Sequence, residues 1–550
     1  MSSEQKQGAL IVSRMRKKKC DERRPVCKSC ELKFLECTWP QLRNIQDNNN
    51  DKKSNTEGVG EQYLVPLYLS LAQESPKIRV KKAINTLKKY EEYEHLVEPQ
   101  LFNVPALNYV IPDAEIDSVF LYQVFCNNFM PSLSPQVAAP QKLLPLSVFV
   151  PESTNYLLRE VFYSCSAAYL ARKIPEYRNI SQLKYANLIR MLQKEIESNN
   201  LEGTEDWLFI AVQCLCLREK VLGNTATQSA RHLSVAFRII KKRQCSRKAL
   251  ATGQVEGSRA EEFEGFLREL SFGPEIETEN SGTYGPDISA LFGLDFDEIT
   301  PTEKTLVESF IYNYTVSLYL CEDCELKKFP SPFEVFDHFR SLLNRPMYDC
   351  PVVWLNNSVV GPSLEAFELA GKASWLSRCS IHDNDYLKKM AYLLLQQALD
   401  YSPPALPAEV TYAMSQSKLK GTLYSLKIAQ AIAKAALILL RKVLNPQLET
   451  FDLIIQKNVD IVYKCLKNLP GNHVANGICG WAIVVAGSCA LSDEHKKLFR
   501  QRAKDLGNYL HAQYSDTMIL FLDKAWGVID NKSQGCDILL DRNALEQVNT

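Results

Sequence analysis

The stretch SKLKGTLYSLKIAQAIAKAALILLRKVL, residues 417–444, places apolar residues three and four positions apart. This spacing puts them on one face of an α-helix. Asn445 and Pro446 follow directly, and a proline ends the pattern because it lacks the backbone N–H and clashes with the preceding turn. The sequence therefore predicts one long helix that ends at about residue 444.

The same helical spacing recurs from about residue 105 onward, whereas strand-like alternation is scarce. Three further segments show it: NYLLREVFYSCSAAYLAR (155–172), LVESFIYNYTVSLYLCEDCEL (306–326) and EHKKLFRQRAKDLGNYL (494–510). Ser492 precedes the last of these as a helix start. Proline and glycine gather at 131–145, 272–286, 329–333 and 401–410, which we interpret as connections. The fold class is mostly α, with a helical domain at 105–535 and a tail at 536–550.

Residues 477–504, GICGWAIVVAGSCALSDEHKKLFRQRAK, contain an apolar run that could be taken for a transmembrane helix. Its uncharged part is about 15 residues long, shorter than the roughly 20 residues that a transmembrane helix needs. We predict a buried helix here and no membrane partner. The first residues lack the order of a signal peptide, so the sequence predicts a soluble, intracellular protein.

The N-terminal stretch RMRKKKCDERRPVCKSCELKFLECTWP, residues 14–40, has a different composition. Its cysteines, Cys20, Cys27, Cys30 and Cys37, are separated by six, two and six residues. In a reducing compartment such a cluster favours metal ligation over disulfides, and a tetrahedral set of thiolates suits zinc. We predict that these four residues bind zinc, and that the metal supplies much of the folding free energy of so small a module.

Charge is distributed unevenly along a chain whose 64 basic and 64 acidic residues cancel. Residues 1–40 hold 10 Lys and Arg against 5 Asp and Glu, a net charge of +5. Residues 41–76 begin with an Asn-, Asp- and Lys-rich run that suggests a flexible linker. We predict a charged helical connector at residues 77–104, where the heptad-like spacing is too short for a coiled coil.

Residues 14–37 resemble the fungal binuclear zinc-cluster transcription factors. They reproduce the last four cysteines of that family's six, the basic run before them and the loop proline, Pro25. The resemblance implies a zinc-binding, DNA-binding module at residues 10–40, with a short helix that reads a CGG triplet in the major groove of double-stranded DNA. Carried over by position, base reading falls on Arg16 and Lys17, and phosphate contact on the remaining cations, Arg14, Lys18 and Lys19. Read alone, the basic run is also typical of a nuclear import signal.

The sequence departs from the family pattern where the first two cysteines belong, because these positions hold Leu10 and Ser13. Three explanations stay open. The four cysteines bind a single zinc ion, or the module is degenerate, or the N-terminal sequence reflects a misplaced exon junction. The close fit from Arg14 onward and the lack of fit in GALIVS favour the last.

Other motifs give little support for chemistry. Cys321 and Cys324 form a second CxxC, which we interpret as chance spacing within a helix, and Cys214 and Cys216 as core residues. The seven histidines show no ligand spacing, and no catalytic motif occurs, so we predict that the protein is not an enzyme. ISALFGLDFDEI (288–299) is typical of an ordinary helix with its loop, or alternatively of an acidic activation segment.

Trp481 and Gly487, followed by a charged helix, loosely resemble a segment of the fungal-specific regulatory domains attached to such zinc clusters. Together the two resemblances imply a nuclear, sequence-specific regulator of RNA polymerase II transcription. Its expected partners are double-stranded DNA and the transcription machinery or a coactivator, and the protein binds DNA either as a monomer or as a homodimer. The alternative is a regulatory or interaction protein with the same helical domain whose degenerate zinc module no longer binds DNA.

Overall fold

The computed structural model describes residues 118–252 and 299–549, apart from positions 134, 138, 140–142, 199–200, 349–351 and 530. All of these residues belong to one compact unit, Ala114–Thr550. Their secondary structure is helical, and the described ranges contain no strand, which confirms the predicted mostly α class. The predicted zinc module, linker and connector lie outside the described residues.

Nine α-helices of four or more residues occur before residue 350 in the described part of the chain. The first eight are α1 (Ser118–Val124), α2 (Pro145–Phe149), α3 (Tyr156–Leu170), α4 (Tyr177–Glu197), α5 (Asp206–Val221), α6 (Ala226–Thr252), α7 (Pro301–Leu320) and α8 (Asp323–Leu326). A π-helical turn, Phe125–Phe129, continues α1. A ninth helix, α9 (Pro332–Leu343), follows α8.

The described helices beyond residue 351 include one long element, Gln416–Leu444. They are α10 (Leu364–Leu376), α11 (Asp385–Asp400), α12 (Ala408–Ala413), α13 (Gln416–Leu444), α14 (Leu453–Lys467), α15 (Gly480–Ser488), α16 (Asp493–Leu510), α17 (Tyr514–Ala525) and α18 (Arg542–Leu545). Short 3₁₀ turns, among them Val474–Ile478 and Gly535–Leu540, join several of them.

Side-chain caps set the starts of several helices. Asn155 accepts hydrogen bonds from the backbone N–H groups of Leu157 and Leu158 at the start of α3. Ser415 accepts one at the start of α13, and Ser492 accepts one from His495 at the start of α16. These caps satisfy N–H groups that have no partner within the helix. The predicted start at Ser492 is confirmed.

Helix α13 is the centre of the C-terminal region and matches the predicted helix closely. It ends at Leu444, before Asn445 and Pro446. It packs against α10, α11, α14 and α15. Its length and composition would also allow it to cross a membrane, but 72% of its most apolar window is buried inside the fold. Core helices of soluble proteins pass the same test, so the burial explains the composition.

Three expectations need correction in detail. The predicted helix 306–326 breaks, because α7 ends at Leu320 and Cys321 takes an extended conformation before the separate turn α8. The buried helix predicted in the apolar run after residue 477 is confirmed as α15, but it is only nine residues long, and α16 follows as a separate helix. The sequence assigns residues 536–550 to a tail, but Ile538, Leu539 and Leu545 of this segment pack into the core.

Candidate functional site

The residues predicted to bind zinc and DNA lie outside the described residues. The zinc ligands are Cys20, Cys27, Cys30 and Cys37, and the DNA contacts are Arg14, Arg16, Lys17, Lys18 and Lys19. Leu10, Ser13 and the acidic stretch 288–298 also lie outside them.

The cysteines of the N-terminal module limit how many zinc ions it can bind. Four thiolates complete the tetrahedral shell of one zinc ion. A cluster in which two zinc ions share six thiolates needs two more donors, where this chain has Leu10 and Ser13, neither of which is a zinc ligand. The residues present therefore fit one zinc ion and fall two ligands short of the binuclear cluster.

The second CxxC does not form a chelating pair with a low thiol pKa. Cys321 is fully buried at the end of α7, whereas Cys324 is exposed on α8. Burial raises the pKa of Cys321 to about 12, which keeps its thiol protonated at neutral pH. Within the ranges the structure describes, no group of three or more His, Cys, Asp or Glu side chains is placed to hold a metal ion.

Cys214 and Cys216 are core residues, as predicted. Both side chains on α5 are fully buried, and Cys214 is the backbone acceptor of a hydrogen bond from the Cys165 thiol on α3. Burial raises the pKa of Cys216 to about 12. These thiols therefore contribute packing rather than reactivity.

The Trp481–Gly487 segment forms the contact between α15 and the last long helices. The Trp481 ring is buried against Tyr319 of α7, with 6.0 Å between ring centroids. A Cβ atom at Gly487 would lie 2.9 Å from Leu522 Cδ2 of α17. The Gly487 carbonyl accepts a hydrogen bond of 2.9 Å from the Trp526 indole. Glycine is thus required here for close approach of α15 and α17.

A buried polar network joins α3, α4 and α5. The Arg218 guanidinium, which is 1% exposed, donates to the hydroxyl groups of Ser164 at 2.8 Å and Ser181 at 3.0 Å. It also pairs with the neighbouring Glu219 and lies 4.6 Å from the centroid of the Tyr185 ring. The bonds to Ser164 and Ser181 tie α5 to α3 and α4, so the network fixes the packing of these helices.

A second buried pair holds α7 against α9 and the 359–360 turn. Lys304 donates to the backbone oxygen of Leu343 at 2.7 Å. Glu308 accepts a hydrogen bond from Val359 N at 2.8 Å. The two side chains lie one helical turn apart, with 3.9 Å between Lys304 Nζ and Glu308 Oε1, and both are fully buried.

Lys442 connects the end of α13 to the residues that follow α17. Its ammonium donates to the backbone oxygens of Pro446 and Leu448 at 2.5 and 2.8 Å, and it pairs with Asp537 at 2.5 Å. The backbone N–H of Cys536 donates to Thr450 Oγ1. Residues 535–540 are therefore part of the helical domain.

Sequence reasoning missed all three of these buried charged groups. The only signal was local: Arg218 interrupts an apolar helix, and Lys304 and Glu308 lie four residues apart in another. An i, i+4 pair of opposite charge is more often a solvated pair on a helix surface. The buried arrangement can be told from a surface pair only when the positions of the distant carbonyl and hydroxyl partners are known.

Two family comparisons match this chain. Residues 14–45 match the fungal Zn(2)-Cys(6) binuclear cluster domain, and this range includes all four clustered cysteines. Residues 367–541 match the fungal specific transcription factor domain, which covers helices from α10 to α17 with the Trp481–Gly487 segment. No curated protein and no solved structure shows significant similarity to the chain.

The second match falls within the predicted helical region and extends to the 535–540 turn that Lys442 holds in place. Both families belong to transcription factors and neither is an enzyme family. The first domain binds zinc. The pair of matches supports a role in transcription regulation. Two segments of the chain thus match domains of fungal transcription factors, a Zn(2)-Cys(6) type domain near the N-terminus and a helical fungal specific transcription factor domain.

Proposed function

We propose that this protein binds double-stranded DNA sequence-specifically through residues 14–40, recognises CGG-like triplets and regulates transcription by RNA polymerase II in the nucleus. The observation that carries the proposal is the cysteine spacing of six, two and six residues directly after a basic run, within the range that matches the zinc-cluster family. The helical domain then acts as the regulatory part of the same chain, through a coactivator or the transcription machinery.

In this proposal, Cys20, Cys27, Cys30 and Cys37 hold zinc as thiolates. The metal stabilises the module and keeps it folded, as expected for a chain segment too short to form a core of its own. The neighbouring cations favour the thiolate form of the cysteines. Each of the four positions is therefore assigned a structural role in the DNA-binding module.

The basic residues divide into two roles. Arg16 and Lys17 donate to guanine O6 and N7 in the major groove, which gives base recognition. The other cations, Arg14, Lys18 and Lys19, contact phosphates and give affinity that is independent of sequence and sensitive to salt. Both roles require only side-chain donors that the sequence supplies.

The test combines metal analysis with DNA binding on the purified full-length chain. We expect one zinc ion per chain and binding to a CGG-containing duplex that is tighter than binding to a duplex with the triplet scrambled. Cys27→Ser should lose both zinc and DNA binding, while the matched change Cys324→Ser, at an exposed cysteine of the helical domain, should keep both.

A chain that binds no zinc and does not distinguish the two duplexes would contradict the proposal. That result would favour the alternative, a regulatory protein whose degenerate zinc module does not bind DNA. The absence of two family cysteines at Leu10 and Ser13 is the observation that keeps this alternative in view. Two zinc ions per chain would contradict the assigned ligand set.

A further inference from the structure

A groove of about 560 Å³ lies on the surface of the helical domain between α13 and the end of α14. Pro403, in the segment after α11, lines it, as do Cys465 of α14 and Asn468 at the end of that helix. This volume lies within the range of small-molecule sites, roughly 300–1,000 Å³. The groove is therefore large enough to enclose a ligand of metabolite size.

The floor of the groove is apolar. Leu423 is 45% exposed, which is high for a leucine whose neighbour Tyr424 is buried. Leu426 lies beside them on the same turns of α13, and Cys465 faces them from α14. A ligand with an apolar body would remove this exposed surface from water, which is favourable in proportion to the area buried.

Two lysines flank that floor. Lys420 and Lys427 line the groove seven positions apart, which corresponds to about 10 Å along the helix axis. No acidic residue lines the groove. Both lysines are exposed, and neither forms an ion pair with a residue in the part of the chain that the structure describes. The groove is therefore positively charged along an apolar surface.

The electrostatic influence of each lysine locates its ammonium group. Burial raises the pKa of Cys465 to about 11, and Lys427 opposes this rise, so its charge lies near the thiol on α14. Burial lowers the pKa of His473, and Lys420 adds to the effect, so the second charge lies near His473. The His473 ring packs edge-on against Tyr424, with 4.9 Å between ring centroids.

Polar groups at the edge of the groove are available to a ligand. The amide side chains of Gln430 and Asn468 line it and make no hydrogen bond to another described residue. A ligand carboxylate near Lys427 would lie in the same groove as these amides, whose N–H groups can donate hydrogen bonds. Such a combination of an apolar floor with a few polar groups is typical of sites that orient small ligands.

From this combination we propose that the groove binds a small amphipathic organic anion, namely a carboxylate on an aliphatic body. Among the described residues, Lys420 and Lys427 have no ion pairs and no acid lines the groove, so the groove favours an anionic ligand. The exposed Leu423 favours a ligand with an apolar body. The volume of about 560 Å³ is that of a small-molecule site, which favours a small molecule over an extended peptide. The site adds a ligand function to the transcription factor and does not depend on the DNA-binding proposal.

The test uses the full-length chain, the fluorescent amphipathic anion anilinonaphthalene sulfonate as probe, and decanoate as competitor. We expect the probe to bind and decanoate to displace it. Leu423→Asp and Lys427→Glu each replace an attractive contact with a repulsive one and should weaken decanoate binding about tenfold or more. Both side chains are solvent-exposed, so the variants should keep the thermal stability of the parent chain.

Matched controls separate this groove from other apolar surfaces. Leu393→Asp changes another exposed leucine, on α11, and Lys497→Glu changes another exposed lysine, on α16. Both controls should bind decanoate as the parent does. Equal binding by all five proteins, or no decanoate binding by the parent, would overturn the proposal. Displacement of the probe by an acidic amphipathic peptide but not by decanoate would overturn the small-molecule assignment and indicate a peptide site.

Discussion

The ammonium nitrogen of Lys304 lies 2.7 Å from the backbone oxygen of Leu343, inside the core. Leu343 is the last residue of α9, and its carbonyl has no partner within that helix. The positive charge also lies at the negative end of the helix dipole. The lysine therefore satisfies carbonyls that burial would otherwise leave without a hydrogen bond, and it fixes the end of α9 to α7.

Replacement of this lysine should destabilise the helical domain strongly. Lys304→Met removes the donor and leaves the buried Glu308 carboxyl without its cation, so we expect a loss of about 3–5 kcal/mol in the free energy of unfolding. Urea unfolding of the full chain measures this. Lys327→Met, at an exposed lysine next to α8, is the control and should stay within about 0.5 kcal/mol of the parent. Equal effects would show that the buried contact contributes little.

The pH dependence of stability should carry a contribution from Glu308. Burial raises its pKa from 4.5 to about 7, although Lys304 and the backbone N–H groups at Val359 and Val360 oppose the rise. The unfolded state therefore releases the proton first as pH rises, so Glu308 stabilises the fold most below pH 4.5, and this stabilisation is lost between pH 4.5 and about 7.

The comparison of Glu308→Gln with the parent chain isolates this contribution. The difference in unfolding free energy between the two should change across pH 4.5–7, with the parent losing stability relative to the variant, and should be constant above that window. Glu365→Gln, at an exposed glutamate in the first turn of α10, should show no such change. Denaturant unfolding at a series of pH values is the measurement, and parallel curves for Glu308→Gln and the parent would contradict the assignment.

Gly487 should not tolerate a side chain. In Gly487→Ala the new Cβ would lie 2.9 Å from Leu522 Cδ2 and 3.2 Å from Phe499 Cγ. Overpacking of this kind costs about 1–3 kcal/mol, which outweighs the gain in helix propensity of at most about 1 kcal/mol. Thermal unfolding should therefore show a lower midpoint for Gly487→Ala. Gly477→Ala is the control, because the nearest atom to its Cβ is Ser132 O at 3.9 Å. An unchanged midpoint in both variants would refute the close approach.

The zinc content should respond to restoration of the two absent family cysteines. The double change Leu10→Cys with Ser13→Cys supplies six thiolates, so we expect the bound metal to rise from one to two zinc ions per chain, with tighter binding to the CGG-containing duplex. Metal analysis and DNA titration measure the two effects. Leu10→Ser with Ser13→Ala is the control and should leave both unchanged. A constant single zinc in the six-cysteine chain would show that residues 10–13 do not reach the metal.

The two proposed roles of the basic residues predict different changes in DNA binding. Lys18→Ala removes a phosphate contact, so affinity should fall similarly for all sequences and the slope of log K against log salt should decrease by about 1. Arg16→Ala should instead cost about 1–3 kcal/mol and reduce discrimination at one base pair. Arg190→Ala, at an exposed arginine of α4, should change neither quantity. Identical behaviour of Lys18→Ala and Arg16→Ala would reject the division of roles.

The sequence by itself determined the helical class, several helix boundaries and the family of the N-terminal module. These properties are local: helical spacing, an N-terminal serine such as Ser492 and a proline such as Pro446 act within a few residues. The cysteine spacing is likewise readable because metal geometry constrains neighbours along the chain.

Only the tertiary structure decided which charged residues are buried and which surfaces stay open. Lys304 meets carbonyls 38 and 39 residues away, and Arg218 meets Ser164, which is 54 residues away. The groove depends on α13, α14 and Pro403 together. A helix pattern fixes the face on which a side chain lies, but the burial of its charge and the partner that it meets depend on the packing of distant segments, because desolvation and hydrogen bonding act through space rather than along the chain.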